Sequence, residues 1–236
     1  MSHQEGTCFT KQISMVSSAR TQPSQSVTMA LLLLPRLPRY WKWWKRAYIS
    51  ESRGVSIFGG TLDGQGTGLW ACKASARLAL FELLRPFCMC KACVSAESAL
   101  YNSKNIVING LTSLNSQMFH IAINGCHNVK VQRVKVSASG SSPNTDGIHI
   151  QLSSGVTISN SRIATGDDCV SMGPGSSNLW IENVACGPGH GISKKYGCKG
   201  IRLEDVKLTF GDQLAEASCV NVGGSTSGSV EPTSCL

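Results

Sequence analysis

The sequence predicts an all-β chain folded as a parallel β-helix, in which short strands stack coil upon coil. Five segments each begin with Asn or Gly and continue with apolar residues in alternation, which is the pattern of a half-buried strand. Their first apolar residues recur at intervals of 23, 27, 23 and 22 residues. A repeat of this length cannot bury its apolar side alone, so neighbouring coils must stack. These first apolar residues are Ile106, Val129, Val156, Leu179 and Ile201.

The chain divides into a leader and one domain. Residues 1–50 are predicted to be an irregular basic leader, because they hold seven Lys or Arg, one acidic residue and no clear repeat. Residues 51–236 are predicted to form the parallel β-helix, as a shortened solenoid. Within that domain, residues 75–101 are predicted to be an atypical insert that interrupts the repeat.

Composition narrows the range of partners. The formal net charge is +8, but the residues after the leader hold 15 basic and 13 acidic side chains. A domain so close to neutral gives little support for nucleic-acid binding. No stretch approaches the roughly 20 consecutive apolar residues of a membrane span. We therefore expect a monomer with neither a nucleic-acid nor a membrane partner.

The cysteines indicate the compartment. Eleven are too many for a typical cytosolic domain and point to an oxidising environment. The apolar run from Met29 to Leu34 is too short and lies too far along the chain for a clean signal peptide. The CxCxxC cluster in the insert lacks the paired spacing of a zinc site, so we expect no metal there. Pairing stays open for Cys8, Cys72, Cys88, Cys90, Cys93, Cys126 and Cys198.

A second periodicity places charged residues together. Asp146 and Asp168 are 22 residues apart, and so are Asp168 and His190. If the coils stack in register, these side chains form a column, since adjacent strands lie about 4.7–4.9 Å apart. Asp167 would point to the opposite face of an ideal strand. It reaches the same site only through a turn, which Gly166 would permit.

Carboxylates grouped in this way suit the hydrolysis of a glycosidic bond. That reaction needs one protonated carboxyl for the leaving oxygen and one ionised carboxylate for water or carbon. Crowded carboxyls cannot all ionise readily, so one pKa should rise and the group should titrate as a unit. An Asp in a turn often only caps backbone amides. The shared 22-residue step favours the catalytic interpretation.

At these residues the chain resembles plant polygalacturonases of glycoside hydrolase family 28. The resemblance covers about residues 54–74, 102–193 and 194–236. It implies a right-handed fold, inverting hydrolysis of 1,4-linked galacturonan in pectin, no cofactor and secretion to the cell wall. The motifs that carry it are Asn144-Thr145-Asp146, Gly166-Asp167-Asp168 and Gly189-His190-Gly191.

The resemblance also assigns roles to single residues. It implies that Asp167 is the general acid and that Asp146 and Asp168 activate the water. His190 then supports the acid or the substrate, and Asn144 binds substrate. The resemblance further implies two disulfides, which join Cys169 to Cys186 and Cys219 to Cys235.

The chain departs from the family in several places, including residues 75–101 and the missing usual leader, and the alternatives follow from the most consequential departure. The Arg-Ile-Lys motif, whose cations grip galacturonate carboxylates, is absent, and coils are expected to be missing near residues 193 and 194. An inactive pectin-binding or fragmentary protein is therefore one alternative. A pectate lyase shares the fold but would need calcium and a basic proton acceptor. Two further alternatives are a rhamnogalacturonan or xylogalacturonan hydrolase of the same family and a purely structural β-helix.

Overall fold

A computed structural model describes residues 47–75, 98–194, 197–210, 213–217 and 223–236. Most of the predicted leader and of the predicted insert lies outside the described residues. The same holds for two sets of cysteines singled out in the sequence, which are Cys219 and the cluster of Cys88, Cys90 and Cys93. The division into leader, domain and insert therefore stays a prediction at these positions.

Strands dominate the described residues, and one helix lies among them. In chain order the elements are β1 (Ala47–Ser50), β2 (Ser56–Phe58), β3 (Thr61–Asp63), α1 (Thr67–Ser75), β4 (Ser98–Tyr101), β5 (Lys104–Asn109), β6 (Thr112–Leu114), β7 (Ile121–Asn124), β8 (His127–Gln132), β9 (Lys135–Ser137), β10 (Ile148–Gln151), β11 (Ser154–Ala164), β12 (Val170–Met172), β13 (Ser177–Cys186), β14 (Ile192–Lys194), β15 (Lys199–Phe210), β16 (Gln213–Leu214) and β17 (Gly224–Glu231).

Two sheets run along the molecule, a six-stranded sheet and a larger one that we call the long sheet. The six-stranded sheet has the order β1-β4-β7-β10-β12-β14, and every neighbouring pair in it is parallel. The long sheet follows the path β2-β5-β8-β11-β13-β15 with parallel pairing, and β17 adds to β15. Each coil contributes one strand to each sheet. The predicted all-β parallel β-helix is therefore confirmed.

Two strands of the six-stranded sheet lie in stretches assigned to other parts of the chain. Strand β1 falls within the predicted leader, so the sheet begins before the predicted boundary at residue 51. Strand β4 falls within the predicted insert, and it pairs in register with both β1 and β7. These strands are four residues long, which is too short for the alternation that identified the longer ones.

The core consists of stacked apolar rows. Ile106, Val129, Val156, Leu179 and Ile201 pair one to the next on the long sheet, and none is more than 2% exposed. Full burial of such a side chain stabilises the fold by about 1.5–3 kcal/mol. The repeat found in the sequence is therefore one continuous row of the core.

The residue before each of these apolar positions turns the chain. Asn105, Asn128 and Asn178 have φ values of +57°, +56° and +56°, and Gly155 and Gly200 both have +67°. Gly adopts the left-handed region freely, and Asn adopts it more readily than other side chains do. Because each coil needs this turn at the same point, the segments share an Asn or Gly at their start. No helix in the described residues is long and apolar enough to cross a membrane.

Candidate active site

The six-stranded sheet brings the predicted column together. Ile148 pairs with Val170, and Val170 pairs with Ile192. Two residues before each of these stand Asp146, Asp168 and His190, which therefore begin successive coils. The backbone N–H of Gly147 donates to Asp168 O at 2.8 Å, which ties the first two turns together. The spacing of 22 residues thus becomes a column at one edge of the sheet.

Asp146 is the most enclosed of these carboxyls, with 8% of its surface exposed. Burial raises the pKa of Asp146, and the charges of Asp167 and Asp168 raise it further. The hydroxyl of Ser171 donates a hydrogen bond to Asp146 Oδ2, which acts in the opposite direction. The raised pKa means that Asp146 keeps its proton to a higher pH than a solvent-exposed Asp does.

Asp167 reaches the same patch because it lies in a turn. Its Oδ2 accepts the backbone N–H of Asn144 at 3.0 Å, and its Oδ1 accepts the N–H of Asp168 at 2.9 Å. His190 Nδ1 lies 3.4 Å from Asp167 Oδ1. One donor at each oxygen fixes the plane of the carboxyl. Asp167 is therefore held differently from the other two acids.

Gly166 enables this turn through close packing. A Cβ at Gly166 would lie 2.3 Å from Ser142 N and 2.4 Å from Ser142 O. The φ angle of Gly166 lies outside the left-handed region, so the site does not need glycine there for its backbone freedom. The glycine instead lets the turn approach the preceding coil, where Ser142 Oγ accepts the N–H of Gly166 at 3.2 Å.

Asp168 completes the patch. The hydroxyl of Ser193 donates to Asp168 Oδ2, in the same way that Ser171 supports Asp146. One ligand atom from each of Asp167, Asp168 and His190 lies within 4.8 Å of the others. Exposed acidic groups commonly lie this close without a metal ion. The expectation of a reaction without metal or other cofactor stays a prediction.

Asn144 and His190 form the open rim of the patch. His190 has 56% of its side chain exposed, and Asn144 is also exposed. Only the backbone of Asn144 has a described contact with the carboxyls. An exposed amide beside the acids is available to a ligand. Because no described contact tests the binding role of this side chain, that role stays a prediction.

The site contains residues that the sequence search missed. His149 stacks on Phe119 with ring centroids 4.2 Å apart, and its Nδ1 lies 2.8 Å from Ser171 Oγ. His149, Ser171 and Ser193 are again 22 residues apart, so the same step would have found them. Lys73 also lies nearby, since the charge of Asp167 acts on it, and 73 to 95 residues separate it from the three aspartates in the sequence. No pattern in the chain pointed to it.

A disulfide closes the turn after the acids. Cys169, which follows Asp168, is bonded to Cys186 with a Cα–Cα distance of 5.9 Å, as the resemblance implies. Cys235 is also disulfide-bonded, but its expected partner Cys219 lies outside the described residues. The first bridge holds the carboxyl-bearing turn against the end of β13.

Comparison with known proteins gives consistent matches. The model of the family described as glycosyl hydrolases family 28 matches residues 42–195. A polygalacturonase of Prunus persica is 40% identical over 296 residues, covering 80% of this chain and 72% of that protein. An exopolygalacturonase of Platanus acerifolia is 45% identical over 150 residues, covering 59% of this chain and 35% of that protein.

Solved structures match in the same way. The polygalacturonase from Erwinia carotovora ssp. carotovora has a TM-score of 0.59 and 26% identity, covering 68% of this chain and 45% of that one. An endo-xylogalacturonan hydrolase from Aspergillus tubingensis has a TM-score of 0.56 at 21% identity, which shows the fold alone. The alignment with the Prunus protein is longer than the 236 residues of this chain, so it contains gaps. The position of any missing coils stays a prediction.

Proposed function

The chain belongs to glycoside hydrolase family 28, and on this premise we propose that it hydrolyses the 1,4-linked galacturonan backbone of pectin. The observation that carries the proposal is the convergence of three aspartates and a histidine on one edge of the six-stranded sheet. Such a group provides both a proton donor and a carboxylate that activates water. The chain spans 72% of the Prunus protein and 35% of the Platanus protein. The activity of the whole relatives is therefore a proposal for this chain.

The contacts of the acids support a division of labour. Asp146 and Asp168 occupy equivalent positions on neighbouring coils, and each accepts a serine hydroxyl from the next coil. We assign to this pair the activation of water. Asp167 stands apart, because backbone N–H groups hold both of its oxygens. The family resemblance, and not these contacts, is the reason to assign it the donation of a proton to the glycosidic oxygen. The family resemblance implies inversion, in which the water and the proton donor act from opposite faces of the sugar.

The raised pKa of Asp146 sets the expected pH dependence. A carboxyl that activates water must be ionised, and burial holds the pKa of Asp146 above its usual 3.8. The rate should therefore fall as the pH falls through that raised value. Loss of the donor proton should lower the rate at higher pH. The profile is a bell whose limbs belong to the carboxyl group as a unit.

A second candidate is an inactive protein that binds pectin. It is favoured by the missing Arg-Ile-Lys motif, because cations that hold the substrate carboxylates would be absent. Misplacement of a substrate by even about 1 Å can cost a factor of roughly 100 in rate. We therefore expect turnover to be weak. Secretion, which the Cys169–Cys186 bridge favours, and the monomeric state belong to the proposal as well.

The test is the release of reducing ends from de-esterified pectin by the purified chain, with and without a chelator. Hydrolysis should be detectable, insensitive to chelator, and abolished in Asp167→Asn. Glu182→Gln, which alters a carboxyl on the long sheet, is the matched control and should keep the wild-type rate. Unsaturated products would instead identify a lyase. Binding to pectate without any release would identify the inactive alternative.

A further inference from the structure

Helix α1 is fastened beside the site by a buried indole. Trp70 is 8% exposed, and its Nε1 donates to Ser116 O at 3.1 Å. Gly66 precedes it by one turn, and a Cβ there would lie 2.6 Å from Ser116 O and 2.8 Å from Trp70 Nε1. This close approach requires glycine. The helix is therefore positioned by the segment before β7.

Lys73 follows Trp70 by three residues, so the two side chains share one face of the helix. Its Nζ donates to Gln117 O and to Pro143 O, both at 3.3 Å. Pro143 immediately precedes Asn144, whose backbone N–H holds the carboxylate of Asp167. The ammonium group therefore stands on the chain segment that orients a carboxyl of the site.

The surroundings of Lys73 leave its charge partly unbalanced. Burial lowers the pKa of Lys73, while the charge of Asp167 acts in the opposite direction. In the described part of the chain, its ammonium forms no ion pair with a carboxylate. An ammonium has three N–H donors, and the two carbonyls described above accept two of them. The remaining donor can serve an anion.

We propose that Lys73 binds a carboxylate of the galacturonan chain next to Asp167. The inference rests on the proposed function, because it takes the ligand to be this polyanion. The three aspartates repel such a chain, and the Arg-Ile-Lys motif is absent. An ammonium close to Asp167 offsets the repulsion and favours free carboxylates over methyl esters at that sugar.

Calorimetric titration with two ligands tests the proposal. Trigalacturonate carries the carboxylates, and its fully methyl-esterified form lacks them. Lys73→Met should weaken binding of trigalacturonate about tenfold, equivalent to about 1.4 kcal/mol, and leave binding of the ester unchanged. Lys73→Arg should retain most of the affinity. Lys130→Met, which removes an exposed cation from β8 on the long sheet, should behave as the wild type.

Each other outcome has a defined meaning. Equal weakening for both ligands would show that Lys73 only fastens helix α1, which overturns the proposal. An unchanged affinity for trigalacturonate overturns it too, while hydrolysis by the wild type would leave the proposed function intact. Wild-type protein that binds neither ligand contradicts both. If Lys73→Met does not fold, Lys73→Gln takes its place, because it keeps a donor for the carbonyls and loses only the charge.

Discussion

Opening the disulfide beside the acids should cost the protein much of its stability. The bridge joins Cys169 and Cys186, which are 17 residues apart, and both are buried. In the chain-entropy model, a cross-link that closes a loop of this size raises the free energy of the unfolded state by about 3 kcal/mol at 25 °C. We therefore expect Cys169→Ala/Cys186→Ala to lower the free energy of unfolding by at least that amount.

Urea unfolding of the two proteins measures the loss. With a slope of about 2 kcal/mol per molar urea, the midpoint should fall by roughly 1.5 M. Cys126→Ala is the matched control, since it removes a buried sulfur and opens no described cross-link. It reports the packing part of the loss. A double variant that loses no more than twice the loss of this control would refute the reasoning, because the cross-link would then contribute nothing.

Three further changes test the site and the stack. Because the pKa of Asp146 is raised in the folded state, its ionised form costs stability above that value, so Asp146→Asn should raise the urea midpoint at pH 7 and leave it unchanged near about pH 3. An equal shift at both pH values would contradict this sign. Gly147→Ala places a Cβ 2.4 Å from Ile163 Cγ2 and 2.6 Å from Cys169 O, and should cost about 1–3 kcal/mol in the same assay. Gly68→Ala, which meets open space, should not lower the midpoint. Inserting the corresponding coils of the Prunus persica polygalacturonase after Ser193 should raise the rate on pectate and the melting temperature, and equal values would show that the short stack is sufficient.

The sequence predicts the long sheet better than the six-stranded sheet. Strands such as β11 and β13 carry 11 and 10 residues, long enough for alternation to stand out. Strands β1 and β12 carry four and three, and their inward positions are set by pairing with neighbours. Lys194 shows the limit of prediction from alternation. It pairs in register with Met172, which in turn pairs with Ile150, yet no apolar pattern marks this position in the sequence. Tertiary pairing decides such short elements.

The column of acids was predictable for a related reason. A fixed step along the chain becomes a fixed place in space when the coils repeat, so Asp146, Asp168 and His190 could be aligned from the sequence. Two things could not be predicted from it. The role of Gly166 depends on how closely the turn approaches Ser142, which is a tertiary distance. The placement of Lys73 depends on the contact between Trp70 and Ser116, which joins parts of the chain 46 residues apart.

The register between β13 and β15 bears on how this architecture changes in length. Leu179 pairs with Ile201 and Ile181 with Leu203, so the next coil keeps the same residues facing inward. Removing or adding a whole coil preserves that inward-outward frame, whereas a slip of one residue would turn every buried side chain to solvent. The number of coils can therefore change without disturbing the rows of buried side chains. Proteins of very unequal size can share one unaltered set of acids, because the shared part is local and the variable part is modular.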